Sequence, residues 1–105
     1  ERKSQQSQIG DVLIAAIYEL DKEGQNILKC YYQGNKKQSQ IAKDLGVKQY
    51  TISRRLTKCK DTLLIKLATW TKESMHISLD SSVLDYMSTV LEEWLQNYYK
   101  PENVN

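Results

Sequence analysis

One glycine constrains this chain more than any other residue. Gly46 separates two amphipathic stretches within Gln38–Leu56, QSQIAKDLGVKQYTISRRL. Ile41 and Leu45 precede it at helical spacing, and Val47, Ile52 and Leu56 follow. Ala42 is small where two helices must approach closely, and Gly46 sits where the chain must leave the first helix sharply. A short helix, a glycine-centred turn and a second helix dense in Arg and Lys make a helix-turn-helix. In that motif the second helix enters the major groove of DNA.

The rest of the chain is expected to be helical too, because no strand alternation or hairpin dipeptide occurs. The fold class is therefore all-α: a helix-turn-helix domain of about four helices plus one amphipathic C-terminal helix. Residues 1–8 are polar and are expected to be a disordered lead-in. A first helix runs from Ile9 or Asp11 to Leu20, with Asp11 in its first turn, where the dipole favours a carboxylate. Asp21 caps a second helix from Lys22 to Gln33, stopped at Gly34-Asn35, and Gly24 in its first turn weakens it by about 1 kcal/mol relative to Ala. The second motif helix starts near Lys48 and continues to about Thr69, since Ile52, Leu56, Cys59, Leu63 and Leu67 stay on one face without a Gly or Pro. The domain is thus assigned to 9–70, a linker to 71–78, and the last helix to 79–100, capped by Ser78 or Asp80 and stopped by Pro101. Glu102–Asn105 reads as a frayed tail.

Charge is segregated along the chain. Residues 1–21 hold 2 Lys and Arg against 4 Asp and Glu, a net of −2. Residues 22–72 hold 12 against 3, +9, and residues 73–105 hold 1 against 6, −5. Such segregation is the footprint of a nucleic-acid-binding module with a chemically different appendage. No apolar run is long enough to span a bilayer and no signal peptide is evident, so no membrane partner is expected. The chain opens on Glu1 rather than Met, and it is expected to be a piece of a longer protein. Cys30 and Cys59 lack metal-ligand spacing and fall on apolar faces, as buried free thiols do in a reducing cytosol. His76 has no evident partner. No catalytic constellation, metal site or cofactor motif is present in the sequence, and neither an enzyme nor a small-molecule substrate is expected.

Binding DNA requires cations for phosphates and side chains that reach base edges. Gln49, Tyr50, Ser53, Arg54 and Thr57 fall outward near the start of the second motif helix and are the base-reading candidates. Gln49 suits an adenine edge and Arg54 a guanine edge, each good bidentate pair being worth about 1–3 kcal/mol of discrimination. Lys36, Lys37, Lys43, Lys48, Arg55, Lys58 and Lys60 suit phosphates, and the helix start adds free backbone N–H groups.

At these residues the chain resembles region four of a bacterial RNA polymerase sigma factor. Leu20–Tyr32 (LDKEGQNILKCYY) resembles the family's Leu-Pro-x-x-x-Arg-x-x-Leu segment. Gln38–Leu56 resembles its helix-turn-helix, and Lys58–Leu67 (KCKDTLLIKL) the run that closes the domain. The resemblance covers about Val12 to Leu67. Asp21 stands where the family usually has Pro, and Gln25 where Arg is frequent. Lys37 and Lys48 replace the Ser or Thr that often cap the motif helices, which suggests an alternative rather than a housekeeping sigma factor.

The resemblance implies promoter recognition: the second motif helix would read the −35 element of double-stranded promoter DNA, and a hydrophobic face would grip the β flap of core RNA polymerase in the cytoplasm. Ile27, Tyr31, Leu63 and Leu67 are the flap-facing candidates, among which spacing does not choose. An anti-sigma or other protein regulator is a further partner of this class. The closing segment, Ser74–Tyr99, lies outside the region-four pattern and resembles C-terminal extensions of some cyanobacterial alternative sigma factors. Its apolar stripe, from Val83 to Tyr98, cannot be stable alone in water. It either completes the core with Trp70 and Trp94 as anchors, docks a partner, or lays its acidic face on the basic helix and inhibits it. Two rival functions remain: a dimeric regulator of response-regulator type, with the last helix as its interface, and the DNA-binding domain of a recombinase or transposase.

Overall fold

The computed structural model describes residues 5–100, with side-chain surroundings from Gln8 onward. Five helices and no strand occupy them: α1 Gln5–Glu19, α2 Lys22–Tyr32, α3 Gln38–Leu45, α4 Gln49–Met75 and α5 Ser81–Tyr98. The all-α expectation holds. α4 is the axis of the fold, and α1, α2, α3 and α5 all pack on it. At 1.5 Å per residue its 27 residues extend about 40 Å.

The core is one contiguous cluster. Leu13, Ile17, Ile27, Leu28 and Ile41 from the first three helices close on Ile52, Leu56, Cys59, Leu63 and Leu67 of α4. Met87, Leu91 and Leu95 of α5, with Tyr99 just past its end, complete it. The last helix therefore folds back onto the domain, as its apolar stripe demands in water. Trp70 and Trp94 are only partly buried and pack on the edge of this cluster. The fully buried anchor on α5 is Leu95.

The joint between α1 and α2 is tight because side chains satisfy the backbone at both ends. Asp21 Oδ1 accepts from the Gly24 N–H at 2.7 Å, and Gln25 Nε2 donates to the Leu20 carbonyl at 2.8 Å. Gly24 is buried here, and a Cβ on it would lie 2.9 Å from Asp21 Oδ1 and 3.0 Å from Cys59 Sγ. An Ala here would force the Asp21 carboxylate, held in its cap, or the Cys59 thiol to shift, and that cost opposes the propensity gain of Ala.

The Gly46 turn forms as expected. Gly46 has φ +69°, its N–H donates to the Lys43 carbonyl at 3.2 Å, and the Val47 N–H donates to the Ala42 carbonyl at 2.9 Å. This pair of bonds is the Schellman arrangement, and it sets the exit angle from α3 into α4. Ala42 is buried where α3 meets α4. Neither Lys37 nor Lys48 supplies a side-chain cap, so the first amides of both motif helices face outward unbonded by a cap.

Several expected boundaries move. α1 begins by Gln5, so residues 5–8 are helical rather than a disordered lead-in, while residues 1–4 lie outside the described residues. Asp11 is consequently not in the first turn, which holds no acidic residue. α4 runs on through Thr71–Met75, within the stretch 71–78 expected to be a linker, and stops at His76, whose φ is +56°. The connection to α5 is His76–Asp80, and Asp80 rather than Ser78 caps α5, accepting from the Val83 N–H at 2.9 Å. At the end of α2, Asn35 takes the left-handed conformation with φ +52°. Pro101 and the tail 102–105 lie outside the described residues. Cys59 is buried as expected, whereas Cys30 is only half-buried; both are free thiols. No helix is long and apolar enough to cross a membrane among the described residues.

Candidate nucleic-acid interface

With 3.6 residues per turn, the face of α4 opposite its buried stripe is fixed by arithmetic. Tyr50 and Arg54, one turn apart, lie near the centre of that outer face and are exposed. Gln49, Ser53 and Thr57 form the flank toward α3 and α5; Gln49 and Thr57 are exposed and Ser53 is half-buried. Thr51, Arg55 and Thr62 form the other flank, toward the α1–α2 joint. All five expected base-reading side chains thus lie on or beside one continuous outer surface.

Tyr50 is 67% exposed, and the Arg54 guanidinium carbon lies 5.6 Å from its ring centroid. Sequence spacing gave both residues to the surface but not this pairing, which holds the Arg54 side chain along the helix instead of leaving it free. Beside them an open groove is lined by Tyr50, Arg54, Arg55 and Lys58 on α4 and by Glu19 and Asp21 at the joint. Cys59 lies at its base, where burial pushes the thiol above its ordinary range, with Asp21 adding to the effect.

The seven expected phosphate contacts divide into two groups. Lys37, Lys43, Lys48 and Lys58 are exposed and make no ion pair among the described residues. Lys36, Arg55 and Lys60 are already engaged within the protein. Lys36 bonds Asp44 at 2.8 Å, and Asp44 also accepts from Gln40 at 2.8 Å. The Lys36 hydrogen bond holds the Asp44 carboxyl below its ordinary range, and the same bond raises Lys36. Arg55 pairs with Glu23 of α2 at 2.7 Å, linking α4 to the second helix. Lys60 lies 3.4 Å from Glu92 of α5, with its ammonium 6.0 Å from the Tyr31 ring and 5.9 Å from the Tyr32 ring.

Glu92, expected with Asp85, Glu93 and Gln96 on the acidic or polar face of α5 opposite its apolar stripe, is instead half-buried and joined to α2 and α4. The Tyr32 hydroxyl donates to its Oε1 at 2.8 Å, and Gln96 Nε2 donates to its Oε2 at 3.3 Å. Burial first and the Glu92 bond second push the Tyr32 phenol far above its ordinary value, so it remains a donor. Tyr32 also stacks on Tyr99 at 6.0 Å, joining α2 to the end of α5. Lys60 and Glu92 are 32 residues apart, a separation at which no local spacing rule operates.

The expected flap-facing set does not form a surface. Ile27 and Leu63 are 0% exposed and Leu67 is 2% exposed, because each faces the axis of the bundle. Only Tyr31 of the four reaches the surface, half-buried. Other large apolar side chains do reach solvent, among them Tyr18 at 69%, Ile65 at 64% and Tyr86 at 70%, along with Leu45 and Val47 on either side of the Gly46 turn. Tyr98 is also exposed and stacks on Trp94 at 4.8 Å. Tyr18 and Ile65 fall outside the apolar periodicity of their helices, which was the available signal. Compared with known protein families, with curated proteins and with solved structures, the chain matches none.

Proposed function

We propose that the chain binds double-stranded DNA sequence-specifically through the outer face of the first turns of α4, as the −35-reading C-terminal domain of an alternative RNA polymerase sigma factor that directs transcription initiation. The observation that carries DNA binding is the outer face itself. Gln49, Tyr50, Arg54 and Thr57 are exposed together at the start of a helix whose later turns lie in the core, just after a left-handed Gly46 turn. Exposed Lys48 holds the N-cap position of that helix, exposed Lys58 lines a groove with Tyr50 and Arg54, and exposed Lys37 lines another with Gln49; these, with exposed Lys43 of α3, are cations of the kind that phosphates require. The uncapped amides at the start of α4 add neutral donors that also suit a phosphate. Support for the sigma assignment is the sequence resemblance across Val12–Leu67.

In this reading Arg54 contacts a base edge and Lys58 a phosphate. Core polymerase is the protein partner, met through surface side chains such as Tyr31 rather than through the interior Ile27, Leu63 and Leu67. A dimeric regulator held together by α5 has less support, since Met87, Leu91 and Leu95 are already buried within the monomer.

Fluorescence anisotropy with labelled duplexes tests the proposal. Arg54→Ala should flatten the preference among promoter-like sequences, whereas Lys58→Ala should weaken all duplexes about equally. Sequence-blind losses of equal size from both would remove the assignment of Arg54. Dependence of promoter binding on core polymerase separates the sigma role from the recombinase and regulator alternatives.

A further inference from the structure

A second groove opens on the α3–α5 side of the molecule. It is about 800 Å³ in volume and is lined by Lys36, Lys37, Ser39 and Gln49 together with Tyr32 and Glu92. Gln49 belongs to the proposed base-reading face and Lys37 to the proposed phosphate set, while Lys36 beside them is paired with Asp44. A DNA strand seated on α4 would therefore run its backbone along this groove. Yet one wall of it carries a carboxylate, Glu92, gripped by a phenol hydroxyl at 2.8 Å and an ammonium at 3.4 Å. A hydroxyl and an ammonium converging on one oxygen are the donors a phosphodiester oxygen would use. Lys60 also continues the flank of Gln49, Ser53 and Thr57 one turn further along α4.

Resting on the DNA-binding reading, we propose that Tyr32 and Lys60 form a backbone-phosphate subsite that Glu92 of α5 occupies in the free protein, so that α5 competes with DNA for it. The acidic helix thereby completes the core with one face and tempers binding with another. Glu92 both cancels the Lys60 charge and places a negative charge beside the DNA path. Releasing it frees Lys60 and the Tyr32 hydroxyl for a phosphate without disturbing the buried Met87, Leu91 and Leu95.

The test uses the intact chain, a labelled duplex and a salt series from 50 to 200 mM, comparing wild type with Glu92→Gln and Glu93→Gln. Glu93 is the exposed neighbour on the same helix, and its variant removes the same formal charge. Glu92→Gln should bind more tightly than either other protein and steepen the log–log salt slope by about 0.9, the value of one added phosphate contact. Its advantage over wild type should accordingly shrink about 3.5-fold across that range. Adding Lys60→Ala should abolish the gain in the Glu92→Gln background while changing wild-type binding little. Equal effects of Glu92→Gln and Glu93→Gln would overturn the subsite in favour of a diffuse charge effect, as would an unchanged slope. Thermal melts verify that each variant is folded; should Glu92→Gln fail to fold, Glu92→Asp, which keeps the charge but draws the carboxylate back from Tyr32 and Lys60, must bind the duplex more tightly than wild type, and unchanged affinity would overturn the subsite. Absence of duplex binding by all variants at 50 mM salt would remove the DNA-binding reading itself, and this subsite with it.

Discussion

The two halves of α4 share one helix and little else. From Gln49 to Lys58 the outer face is exposed and cationic, with only Ile52 and Leu56 buried beneath it. From Cys59 to Ala68 the helix is gripped on several sides, by α1, α2 and α5 as well as its own apolar stripe. The second half gives the first its rigidity: a recognition surface built on a helix held in the core is positioned more precisely than one on a loop. Substitutions in the two halves should therefore fail differently, stability in one and binding in the other.

The largest contrast is expected from truncating the core half. Leu63→Ala should cost about 2–5 kcal/mol, since Leu63 is fully buried at the crossing of the helices. In urea denaturation its midpoint should fall sharply, and duplex binding should fall only in parallel with the folded fraction. Arg54→Ala in the outer half should leave stability within about 0.5 kcal/mol of wild type. A strongly destabilised Arg54→Ala would break the division, because it would give the Tyr50–Arg54 pair a structural role.

Next in size is the joint that braces α4 against α2. Gly24→Ala should destabilise by about 1–3 kcal/mol through overpacking, against the gain that helix propensity alone assigns to Ala. The added methyl would meet the Asp21 cap and Cys59. A midpoint raised by this substitution would show that the contact relaxes without cost.

These cases show what could be read from the sequence. Helix identities were legible because apolar spacing records burial, and so were the Asp21 cap, the left-handed Gly46 turn and the buried Ala42. Helix ends were less so. Gln5–Gln8 and Thr71–Met75 carry no core stripe, but nothing in them breaks a helix, so the neighbouring helices propagate through them. The outward set on α4 followed from periodicity. Which cations are engaged did not, since Arg55–Glu23 and Lys60–Glu92 join different helices. The same limit applies to Ile27, Leu63 and Leu67: periodicity makes a residue apolar and inward, without saying whether its own chain or a partner covers it.

A smaller effect reports on the surrounding core by pH. Burial pushes the Tyr99 phenol from 10.0 up to about 12, and Tyr32 and Cys59 are raised as well. A group raised on folding contributes its full stability below its unfolded value and loses it as pH climbs toward the folded one. Urea midpoints should therefore decline between about pH 9, the ordinary range of a thiol, and pH 12. Tyr99→Phe should make the upper part of that decline shallower. An unchanged profile would contradict the burial assigned to Tyr99.

The most direct measurement is a salt titration of duplex binding by the wild-type chain and by a Lys48→Ala, Arg54→Ala, Lys58→Ala triple variant. The expected result is a straight log–log dependence for wild type, with a slope of about −0.9 for each phosphate engaged, and a distinctly shallower slope for the folded triple variant. Identical slopes and affinities for the two proteins would place any DNA contact away from the outer face of α4 and contradict the proposed interface.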